Sequence, residues 1–65
     1  MQIFSDMKPI AKSGEIILYV SEDGRMGMLY DSIRDTSGEK QPLQSCFKWG
    51  NFVELTPEER EALTQ

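Results

Sequence analysis

Apolar residues gather into short runs separated by polar turns, and the spacing within most of those runs favours strands. The densest run, Ile16-Ile17-Leu18-Tyr19-Val20, predicts a strand over residues 15–20. Ser21-Glu22-Asp23-Gly24 follows it, and Asp-Gly is the strongest short hairpin signal, since both central positions of a type I′ turn take positive φ. Residues 25–33 then alternate. Met26, Met28 and Tyr30 fall on one face of that strand; Gly27, Leu29, Asp31 and Ile33 fall on the other. A polar turn covers 34–40. Leu43, Ser45, Phe47 and Trp49 alternate with Gln44, Cys46 and Lys48, which predicts a third strand with one apolar face and Pro42 near its start. A shift of one residue in its register would exchange Phe47 and Trp49 for Cys46 and Lys48. Gly50-Asn51 reads as a tight turn and 52–55 as a short fourth strand.

The two ends differ from the middle. Residues 1–13 carry Ile3, Phe4, Met7 and Ile10, but Pro9 interrupts any long element, so they read as an extended arm with at most an edge strand. At the other end Thr56-Pro57-Glu58-Glu59 is a helix start. Thr56 caps free N–H groups, Pro57 suits the first turn, and Glu59 closes a capping box. That helix runs to about Gln65 and is marginal alone, so Ala62 and Leu63 are expected to dock on the sheet.

These elements predict a mainly β, small α+β domain: three to four antiparallel strands in a meander or an SH3-like barrel, closed or flanked by the C-terminal helix. The 65 residues form one domain, with the arm over 1–13, the strands within 15–55 and the helix over 57–65. A chain this short buries only about 60% of the surface it exposes when unfolded, and one such core supplies roughly 3–5 kcal/mol. One cysteine and no histidine exclude an intrachain disulfide and a structural zinc site. Packing or self-association must serve instead, which makes a homodimer a candidate.

Charge narrows the partners. Eleven acidic residues against seven basic ones give a net charge of −4 and a pI near 4.6. A domain that works by neutralising phosphates normally carries a basic patch, so nucleic acid is disfavoured unless charge is segregated. No basic-then-apolar leader pattern opens the chain, and the longest apolar run, 16–20, is far short of a membrane span of ~20 residues. A membrane role is therefore not expected. The lone thiol suits a reducing compartment, and the expected location is cytoplasmic.

The chemistry-bearing residues are few. Without histidine, Ser-His-Asp and Cys-His arrangements cannot form within one chain. Cys46 is expected on the exposed side of its strand, where Lys48 would lower its pKa, although a passive small residue is the simpler reading. Glu22 with Asp23, and Asp31 with Asp35, read as solvated turn carboxylates. Gly24-Arg25-Met26-Gly27 has GxxG spacing but sits in a hairpin, and Gly38-Glu39-Lys40 lacks the rest of a phosphate loop. No catalytic residue, metal site or cofactor is assigned.

Aromatic and methionine side chains remain. Phe47, Trp49 and Phe52 are expected in the core, and the tyrosines half-exposed. Met26, Met28 and Tyr30 form either the buried face of their strand or an adaptable docking strip. On the second view the protein-binding residues are Tyr19, Met26, Met28 and Tyr30, rimmed by Arg25 or Arg34. The expected function is a non-enzymatic protein-interaction module using a sheet face or an edge strand, such as a regulator or inhibitor of a larger protein. A nucleic-acid-binding small β-barrel using Phe47, Lys48 and Trp49 is the first alternative. A homo-oligomer with a composite site between subunits is the second.

Overall fold

The computed structural model describes residues 6–64. Strand β1 (Met7–Ser13) leads through Gly14, at φ 61°, into β2 (Ile16–Ser21). Strand β3 (Met26–Asp31) completes a meander, and two-residue strands β4 (Thr36–Ser37) and β5 (Gln41–Pro42) both pair with β3. Helix α1 (Leu43–Cys46) continues into a 3₁₀ turn (Phe47–Trp49). Strand β6 (Val53–Glu54) returns beside β1, and helix α2 (Pro57–Thr64) ends the fold. The order across the antiparallel sheet is β4-β3-β2-β1-β6, an open meander; among the described residues no pairing closes it into a barrel.

The β2–β3 hairpin has the expected pairing, with Tyr19 opposite Met28 and Ile17 opposite Tyr30. Met26, Met28 and Tyr30 share a face as their alternation predicts. Its turn is longer than a type I′ turn. Only Gly24 takes a positive φ, at 74°, and its N–H donates to the Ser21 carbonyl at 3.0 Å. The Asp23 carboxylate accepts instead from the Ser21 hydroxyl (2.6 Å) and the Arg25 N–H (3.0 Å), and these side-chain bonds hold a four-residue loop. Strand β3 stops at Asp31, whose Oδ1 accepts from the N–H groups of Ile33 and Arg34 and turns the chain, leaving Ile33 exposed.

Both ends of the strand reading need correction. Residues 7–13 are an inner strand, not an arm, with Met7 and Ala11 buried. Pro9 is accommodated because the register shifts between Pro9 and Ala11, and β6 pairs only with Ala11 and Lys12. That bulge puts Ile10 and Ala11 into the same apolar cluster. Ile3 and Phe4 lie outside the described residues.

The expected third strand is instead helix and 3₁₀ turn. Its period-two alternation competes with a second spacing, Leu43 and Cys46 at i, i+3, and the helical spacing wins because the sheet is apolar on both faces. On the first face Met7, Ile17, Tyr19, Met28, Tyr30 and Leu55 cluster, with Leu63 of α2 packed against them. On the second, Ala11, Leu18, Val20 and Cys46 cluster with Ile10, Leu29, Leu43 and Phe52. A third strand would extend the sheet and leave the second face bare; a helical lid over it removes far more carbon surface from water. Gly27 makes the close approach possible, since a Cβ there would stand 2.6 Å from Cys46 Sγ.

Gly50-Asn51 is no tight turn. Gly50 is extended, and a side chain on it would meet the Ser13 hydroxyl at 2.6 Å. The C-terminal helix forms as its sequence predicts. The Thr56 N–H donates to Glu59 Oε1 (3.0 Å) and the Glu59 N–H to Thr56 Oγ1 (3.2 Å), both halves of a capping box. Leu63 docks while Ala62 stays exposed, and Lys12 of β1 pairs with Glu59.

Candidate functional site

A sheet covered on both faces redistributes the residues singled out in the sequence. Tyr19, Met28 and Tyr30 sit inside the first cluster rather than on a docking strip, the tyrosines only 4% exposed where half-exposure was expected. Their rings meet edge-on at 6.0 Å, and the Tyr30 hydroxyl donates to Asp35 at 2.5 Å. Burial raises the Tyr19 phenol, and the bond to Asp35 pushes Tyr30 up to about 12. Both tyrosines are thus neutral structural groups. Met26 is half-buried at the other end of β3, lining an open depression with Asp6, Ser21, Glu22, Asp23 and Lys40. Arg34 lies in the turn after β3 beside Asp31. The six proposed docking residues are not brought together on one exposed surface.

The helical lid inverts the other expectations. Cys46 points down and is fully buried, not on an exposed side, and burial pushes its thiol up, which fits the passive small residue and not the thiolate that Lys48 would have favoured. Phe47 and Trp49 point outward, 49% and 70% exposed, instead of filling the core. Phe47 rests edge-on against Phe52 at 6.2 Å, and the Trp49 indole N–H donates to Gln41 Oε1 at 3.4 Å. Phe47, Lys48 and Trp49 are therefore displayed together on one turn of backbone.

Beside them runs a groove of about 370 Å³ between the hairpin and the lid, lined by Gly24, Arg25, Pro42, Leu43, Gln44 and Phe47. Its walls are tied. The Leu43 N–H donates to the Arg25 carbonyl at 3.0 Å, Pro42 pairs with Met26 in the sheet, and the Asp23 carboxylate holds the Arg25 N–H. The backbone of Arg25 is thus fixed while its side chain is exposed.

Four of the seven cations are in ion pairs: Lys12 with Glu59, Arg34 with Asp31 (4.0 Å), Lys40 with Asp6 (2.6 Å) and Arg60 with Glu54 (3.2 Å). The Lys40 ammonium holds Asp6 below the usual carboxylate range, and Lys12 does the same for Glu59. Lys8, Arg25 and Lys48 make no ion pair among the described residues. Lys8 stands on the lid side of β1, opposite Val20; Arg25 lines the groove; Lys48 separates the two exposed rings. The acidic residues Glu58, Glu59 and Glu61 belong to α2.

Asp35 is bonded to Tyr30, Asp31 to turn backbone, and Asp23 to Ser21 and Arg25, the Ser21 hydroxyl being the main reason its carboxyl sits low. Among the described residues no three metal-ligating side chains gather, and no helix is long and apolar enough to cross a membrane. No protein-family model, curated protein or solved structure matches this chain. The lid was missed in the sequence because period two and period three coincide over so short a stretch. Its one helical signal was Leu43 and Cys46, three apart.

Proposed function

We propose that the protein is a non-enzymatic protein-interaction module whose contact surface is the outer side of the helical lid, Phe47, Lys48 and Trp49, continued by Arg25 along the groove. The observation that carries this reading is Trp49, 70% exposed in a domain whose two tyrosines are almost wholly buried. Large rings left in water beside an arginine are the residue types that dominate protein–protein contacts, since they remove much surface at little conformational cost. Their backbone is anchored from below by Leu43 and Cys46, so binding would order little additional chain. A regulator or inhibitor of a larger protein would use such a surface.

A second reading has a specific observation behind it. The cations without ion pairs lie on the same side as the exposed rings, which is how single-stranded nucleic acid is held. Three such cations neutralise at most three phosphates, so its binding constant would fall with a log–log salt slope of only about −2. The chain's net charge of −4 opposes it.

Capture from a lysate of the source organism, with and without nuclease, tests both. A stoichiometric protein that survives nuclease and is lost with Trp49→Ala or Phe47→Ala supports the interaction module. Capture abolished by nuclease, or a captured protein indifferent to both substitutions, rejects it.

A further inference from the structure

We infer that the groove beside the lid receives an acidic segment of a partner protein, an apolar side chain entering between Pro42, Leu43 and Phe47 while a neighbouring carboxylate meets Arg25. The inference rests on the docking role proposed for the lid and names the partner's chemistry. Pro42, Leu43 and Phe47 give the groove carbon walls, and a volume of about 370 Å³ is enough for one or two side chains. Arg25 is the one charged residue in the lining.

Charge complementarity decides the occupant. The chain has eleven carboxylates, yet none of those described forms an ion pair with Arg25, although the Asp23 carboxylate lies close enough to take its backbone N–H. Lys48, next to Phe47, likewise makes no ion pair among the described residues, as does Lys8 on the same side. A carboxylate in the groove would find a guanidinium not already committed, in a bidentate geometry suited to it. Glu22 and Asp23 stand in the turn just before Arg25, but neither lines the groove, and the Asp23 carboxylate is turned onto the Ser21 hydroxyl and the Arg25 N–H. A basic side chain in the groove would instead meet Arg25, the like charge in its lining.

Selection from a random peptide library displayed on phage, against the full chain, tests this. Enriched peptides should carry Asp or Glu beside Leu, Ile, Phe or Trp. A synthetic peptide from that set should perturb the amide signals of Arg25, Leu43 and Gln44 and the fluorescence of Trp49, the single tryptophan. Arg25→Glu should weaken that peptide roughly tenfold or more and turn a repeated selection toward Lys or Arg, whereas Lys40→Ala, on the depression beside Met26, should change nothing. Among the described residues Arg25 makes only backbone bonds, so the variant should keep the wild-type amide spectrum outside its own turn. Peptides without acidic bias, or shifts that miss the groove, overturn the inference; if those peptides still need Trp49, the lid remains the docking surface. No enriched peptide, with tight binding of oligothymidylate instead, overturns both.

Discussion

On one face of the sheet, helix α2 brings Leu63 down onto Met7, Ile17, Tyr19, Met28 and Tyr30. On the other, a single helical turn brings Leu43 and Cys46 down onto Leu18 and Val20. The first cover has a capping box, an ion pair to the sheet and an acidic start that suits its dipole. The second has no side-chain cap and no acidic first turn, and it leaves two of its rings in water. The difference separates two tasks. The first cover packs Leu63 inward and leaves Glu58, Arg60, Glu61 and Ala62 exposed; the second presents Phe47, Lys48 and Trp49. On the function proposed above, structure and recognition fall to opposite faces of one small sheet.

The comparison breaks most severely if the core of the lid face is removed. Leu18 is fully buried, and Leu18→Ala should cost about 2–5 kcal/mol, comparable to the whole stability of a domain this size. Urea denaturation should show a chain largely unfolded without denaturant. A midpoint shift under a few tenths of a kcal/mol would mean the lid is not packed on Leu18. Gly27→Ala should cost about 1–3 kcal/mol, because the new methyl meets Cys46 Sγ. Adding Cys46→Ala removes the clashing sulfur, so the double variant should be more stable than Gly27→Ala alone.

On the other face the effects are smaller. Thr56→Ala removes the cap of α2 and should cost about 1 kcal/mol in thermal or urea unfolding. The Glu59 carboxyl is held low, chiefly by Lys12 and then by the Thr56 N–H. Its contribution is therefore present above the ordinary glutamate pKa and lost as pH falls through the lowered folded value. Acid unfolding of Lys12→Ala, which removes the first of those causes, should depend less on pH in that window. Tyr30 has the opposite sign. Its folded pKa of about 12 lies above that of a free phenol, so its contribution holds below about 10 and is lost as pH rises from there toward 12. Tyrosinate absorbance should rise together with loss of structure in wild type; a phenol that titrates at its ordinary value with the fold intact would remove Asp35 from the account.

The smallest stability effect sharpens the comparison most. Trp49→Ala should change stability by no more than about 0.5 kcal/mol while eliminating partner capture. If it destabilised the chain as much as Leu18→Ala, the ring would be part of the core and the division of tasks would fail.

How far the sequence could be read followed from how local each determinant is. The β2–β3 hairpin and the capped helix depend on neighbours a few residues apart, and both formed where Asp23-Gly24 and Thr56-Pro57-Glu58-Glu59 placed them. The exact turn was less legible, because the Asp23 side chain substitutes for a second positive φ. The lid and β1 depend on what lies across the sheet. Leu43 to Trp49 fits either period, and only the bare second face selects helix. Once that selection is made, Cys46 turns in and Phe47 and Trp49 turn out. The surface proposed for docking moves with them, from Tyr19, Met28 and Tyr30 to Phe47, Lys48 and Trp49.

The margins of the sheet also limit how the molecule meets others of its kind. Beyond β3 lie two strands of two residues each, one ending in Pro42; beyond β1 lies β6, again two residues, with Glu54 exposed and paired to Arg60. Short, charged or proline-bearing borders offer a poor template for growth of a fibril. The exposed Phe47 and Trp49 add no such template, since they stand on a helical turn whose backbone does not pair from copy to copy.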